Sequence, residues 1–271
     1  MPARNYVSAR GARGLPEPAG PRPRCGRAAA VNAHTRAAIL ADSKPAFRTR
    51  LFEWLALGIA AVAFVGFART YYLKSVFGTG ALPLVVHLHG LVMSTWIVVF
   101  IAQTWLIAAR RATWHRRLGA GAAVLAVLII LTGTALTVLA LEREIQAHVQ
   151  GKWHYLLLIN VVNLLLFGAF VGSGLALRAR ADVHKRLMLL AAATLLAPAV
   201  ARIALLFTHA PPAQFAAFYL CVATCVLIDT LSNRRLHPVM GWGALAIVAG
   251  FQLSYLAVQT PAWMALVRLV F

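Results

Sequence analysis

LPLVVHLHGLVMSTWIVVFIAQTWLIAARRATWHRRLG, residues 82–119, decides the fold. His87 and His89 open this stretch, an apolar run follows, and Arg110, Arg111, His115, Arg116 and Arg117 close it. No Asp, Glu, Lys or Arg stands between His89 and Arg110. A helix needs roughly 20 apolar residues to cross the hydrocarbon core of a bilayer. The stretch therefore reads as a membrane span with polar chemistry at each end.

Outward from it, six more apolar runs appear, giving seven in all at about 51–68, 82–109, 118–141, 154–177, 187–208, 213–231 and 239–260. With 61% hydrophobic and 12% charged residues, the chain has the composition of an all-α polytopic membrane bundle rather than a soluble domain. Residues 1–46 read as a basic, disordered tail and 47–271 as a seven-helix membrane domain whose core is helices 2 to 5, at about 82–208. The net charge of +19 does not point to nucleic acid, because the basic residues lie in the tail and in short loops. Alternate loops carry them: Arg110, Arg111, Arg116 and Arg117, then Arg178, Arg180, Lys185 and Arg186, then Arg234 and Arg235. The positive-inside rule then puts the N-terminus in the cytoplasm, with the lipid bilayer as the protein's first partner. Cys25 lies in the tail and Cys221 and Cys225 in an apolar run, which is no disulfide framework.

An internal echo accompanies the charge pattern. WHRRLG at 114–119 precedes helix 3, and VHKRLM at 183–188 precedes helix 5. Such an echo is what duplication of a helical hairpin leaves behind.

Polar side chains inside spans are costly and mark the bundle interior or a cavity. On helix 2, His87 and His89 are two apart and point to roughly opposite sides at 100° per residue. His89, Trp96 and Gln103 recur every seven residues and form the inward stripe. Asn160 and Asn163 share a face of helix 4, and Arg202 lies within span 5. The plain structural use of all these groups is hydrogen bonding between helices. Toward the basic side, His115, Asp182, His184, Arg186, Asp229 and His237 gather near helix ends.

Taken by helix, His89 (or His87) and His154 stand near one face on helices 2 and 4, and His115 and His184 near the other on helices 3 and 5. Imidazoles from two facing helices can hold a haem between them. Two such pairs would let an electron cross the bilayer. This alternation resembles the transmembrane b-type cytochromes reduced by ascorbate. The resemblance implies haem b held by His89, His154, His115 and His184, and an electron donor and acceptor that the sequence does not name. The strings HLHG, WHRRLG and VHKRLM are also similar to those of uncharacterised bacterial multi-pass membrane proteins, a likeness that implies no reaction.

Other readings stay open. A metal site could draw on His87, His89 and His154, with His148 or His209 nearby. A non-enzymatic assembly factor or sensor could bind a ligand through His and Arg202. A transporter could line its path with Gln103, Asn160, Asn163 and Gln252. No HExxH, CxxC, G-x-S-x-G or P-loop string supports a protease, thiol, hydrolase or NTP-driven enzyme.

Overall fold

The computed structural model describes residues 50–78, 80–146 and 153–270. The stretch 1–46, read above as a tail, and His148 lie outside them. The described chain is helical: α1 (Arg50–Tyr72), α2 (Leu84–Ala108), α3 (Ala112–Gln146), α4 (Trp153–Ala176), α5 (Ala181–Thr194), α6 (Ala197–Ala204), α7 (Pro211–Asn233), α8 (Pro238–Ala257) and α9 (Pro261–Val270). Six of them, α1 to α4 with α7 and α8, are long and apolar enough to cross a membrane. The pair α5 and α6 makes a seventh crossing if the bent pair is one span. The protein is an all-α, polytopic membrane protein.

Local chemistry sets the helix ends. Proline opens α7, α8 and α9, where its missing N–H would have had no helical partner. His237 caps α8, its Nδ1 accepting the Val239 N–H at 3.2 Å. Arg110 and Arg234 adopt the left-handed conformation, with φ of 57° and 56°, just past the ends of α2 and α7. A cation there also suits the negative end of the helix dipole.

Two expectations are corrected. The run 187–208 is not one straight helix, because α5 and α6 meet at 42°. Pro198 explains the break: it offers no N–H to the Thr194 carbonyl and its ring clashes there. The bend follows, and Pro198 sits in the first turn of α6. Nor do WHRRLG and VHKRLM precede their helices. α3 begins at Ala112 and α5 at Ala181, so His115 and His184 occupy equivalent places in the first turns.

The core gathers Trp96 and Phe100 of α2, Ile129 of α3, Phe167 of α4, Leu189 and Leu190 of α5, Phe218 of α7 and Ile247 and Phe251 of α8. Helices α2 to α5 pack in sequence, and α8 lies against α4 and α5. Leu88, Leu91, Val98, Leu131, Leu165, Leu220 and Leu253 point outward, as lipid-facing residues must. α1 closes on α6 backbone to backbone. A Cβ at Gly66 would stand 2.5 Å from the Ala199 carbonyl oxygen.

Candidate functional site

The basic end of the bundle holds three side-chain pairs. His115 of α3 and His184 of α5 meet edge to face, with ring centroids 6.2 Å apart. Arg186 of α5 donates through Nε to Asp229 of α7 at 2.8 Å, both side chains almost fully buried. Its Nη1 caps the Asp182 carbonyl at 2.8 Å, and Asn233 donates to the Asp229 carboxylate at 3.1 Å. His237 at the start of α8 lies 3.3 Å from Asp182. The gathering expected at this end is thus a set of pairs linking α3, α5, α7 and α8.

The histidine pair owes its geometry to small residues. Gly174 lets α5 approach α4, since a Cβ there would press on Met188 at 3.1 Å. The approach brings His184 Nδ1 to 2.7 Å from the Gly174 carbonyl. A carbonyl only accepts, so Nδ1 carries the hydrogen and Nε2 of the neutral ring keeps its lone pair. His115 Nδ1 is buried without a hydrogen-bond partner, and so is Gln103 Oε1 on the neighbouring helix α2.

At the opposite end, His89 Nδ1 lies 3.0 Å from the Thr132 hydroxyl of α3. That hydroxyl donates to the Leu128 carbonyl at 2.6 Å. His89 Nδ1 is therefore the donor, and its Nε2 is again the bare nitrogen. Gly133 lies beside the imidazole: a Cβ there would be in ordinary contact with His89 Cε1 at 3.5 Å and tighter against Leu164 of α4 at 3.2 Å. His87 faces elsewhere: it is exposed, with its ring against Tyr71. Tyr71 itself fills the notch above Gly90, where a Cβ would require its ring to move, and donates to the His87 carbonyl at 3.3 Å. The π-helical turn Ala68–Tyr72 aims this phenol at α2. His154 stands in the first turn of α4, but its side chain is outside the described residues.

Between the two levels, Trp96 is buried edge to face against Phe167, with centroids 5.2 Å apart. Seven residues separate it from His89 and seven from Gln103, about 10 Å each way along α2. Its indole Nε1 and Asn163 Oδ1 are buried without hydrogen-bond partners. Asn160 is only half-buried. Arg202 donates to the Pro198 carbonyl at 2.9 Å and lies 4.4 Å over the Phe67 ring. Among the described residues no group of three or more His, Cys, Asp and Glu is placed to hold a metal ion.

The structure thus brings His115 to His184, sets His89 against Thr132, and turns His87 away from His89. Sequence reasoning passed over Thr132 and Gly174, which orient the imidazoles, and Phe167, which backs Trp96. No motif marks them. No family model, curated protein or solved structure matches this chain.

Proposed function

We propose that the protein is a b-type haem protein of a bacterial cytoplasmic membrane, with its N-terminus and basic end on the cytoplasmic side, passing single electrons across the bilayer. The observation that carries this reading is the His115–His184 pair. The pair brings one imidazole from α3 and one from α5 within 6.2 Å of each other at the basic end, so that the two rings could serve one cofactor there. The groups also fit by their hydrogen bonding: Nδ1 of His184 is tied to a carbonyl, leaving Nε2 as the ligating atom, which is the usual arrangement around a ligating histidine. His89 is prepared the same way by Thr132.

Haem supplies a one-electron iron couple when bound. The chain's own residues do the rest. His115 and His184 offer the ligands of one level, and His89 with His154 those of the other. Gly174 and Thr132 hold the imidazoles in one tautomer. Trp96 and Phe167 fill the interval between levels with packed aromatic rings and keep water out of it. The concentration of Lys and Arg in alternate loops supports the orientation.

Alanine at His115 and at His184 tests the ligand assignment through a pyridine haemochrome assay on purified protein. Each variant is expected to lose the haem of the basic end and keep the other. A doubly substituted protein with undiminished haem would overturn it.

A further inference from the structure

α7 and α8 form an open groove of about 360 Å³ lined by Pro212, Phe215, Ala216, Tyr219, Gln252 and Tyr255. α8 turns Gly250 toward Val162 and Leu166 of α4. Gln252, two positions on and about 200° around the helix, therefore faces away from that contact and is exposed. It lies five residues before the end of α8, roughly 8 Å along the axis, and Tyr219 lies eight residues into α7, roughly 12 Å. An exposed amide at that depth faces hydrocarbon, where unpaired polar groups are costly.

The amide is also held in place. The Tyr219 hydroxyl donates to Gln252 Oε1 at 3.2 Å, a contact that does not use the Nε2 hydrogens, and Gln252 lines the groove. Around it the rings form a shelf: Phe215 stacks on Tyr219 at 6.2 Å and meets Tyr255 edge to face at 5.3 Å. A matching ligand must reach this depth from the lipid, present a flat ring to the aromatic shelf, and carry an acceptor for the amide. Apolar walls with a few convergent polar groups are the general character of small-molecule sites.

We propose that this groove binds the head ring of a membrane quinone, a carbonyl oxygen accepting from Gln252 Nε2 and the isoprenoid tail lying in lipid. The inference goes beyond the haem reading and stands without it, since only binding is claimed.

The test is photolabelling of the purified chain in nanodiscs with an azido-ubiquinone, competed by decylubiquinone and mapped by peptide mass. Saturable labelling confined to peptides around residues 212–219 and 252–255, removed by decylubiquinone, is the expected result. Gln252→Leu is expected to weaken competition roughly tenfold, the value of one hydrogen bond. Ala216→Phe, which fills the groove, is expected to abolish it, with both variants melting near the parent temperature. Label spread over all lipid-facing helices, labelling untouched by Gln252→Leu, or conversion of a dimer to a monomer by that substitution would overturn the proposal. The readout does not depend on haem content, so its failure and that of the electron-transfer reading are separable.

Discussion

At its basic end the bundle joins helices through ionisable pairs, Arg186 with Asp229, Asp182 with His237, and His115 with His184. At the opposite end the joints are notches: Tyr71 seated over Gly90, Gly66 against the Ala199 backbone, and Arg202 lying on Phe67. Charge pairs fix which residues face each other but tolerate small shifts. Notches demand a close fit and carry little chemistry of their own. Both ends nevertheless hold an imidazole with Nδ1 donating and Nε2 bare. Two kinds of joint thus leave the same imidazole nitrogen bare.

The largest effect that could break this contrast lies at the buried ion pair. Asp229→Ala leaves Arg186 charged and uncompensated, and about 3–5 kcal/mol of stability is expected to be lost in denaturant unfolding. The double variant Arg186→Met with Asp229→Leu is expected to recover most of it. If the single variant were neutral, the basic end would not be held by charge.

A smaller loss is expected at the notch between α1 and α6. Gly66→Ala pushes a methyl group into the Ala199 backbone, which cannot turn aside as a side chain can, and about 1–3 kcal/mol is the cost of such overpacking. Gly90→Ala meets only the Tyr71 ring, which can swing away, so about 1 kcal/mol is expected. A Tyr71→Ala background would relieve it, and thermal melts of the four proteins measure the coupling.

Least of all is expected from Thr132→Val. Removing the hydrogen bond to His89 costs about 0.6 kcal/mol, the average for such bonds in membranes. On the proposed haem reading its sharper consequence is a redox one: with Nδ1 unheld, the midpoint potential at that level is expected to shift while that of the basic end does not. A shift of both potentials would mean that the two levels are not separate.

The spans were legible because lipid imposes them. The apolar runs at 82–109 and 154–177 differ by a residue or two from α2 and α4. Pro198 was visible too, yet a proline inside a span can either bend the helix or be accommodated, and only packing decides. The starts of α3 and α5 were set too late because the basic residues of WHRRLG and VHKRLM end the apolar pattern without ending the helix. At the site, the histidine spacing on α2 separated His89 from His87 correctly in direction. The partners Thr132 and Gly174 were not legible: one is a common residue on a long apolar helix, the other offers only its carbonyl. Tyr71 was readable as an interfacial aromatic, but the π-turn that aims it at Gly90 depends on contacts between α1 and α2.

On the proposed function these imidazoles hold haem. The most direct measurement is a reduced-minus-oxidised absorption spectrum of the detergent-purified protein from haem-replete cells. The expected result is a sharp b-type α band with two haems per chain, falling to one in His184→Ala. A featureless spectrum from the parent protein would contradict it.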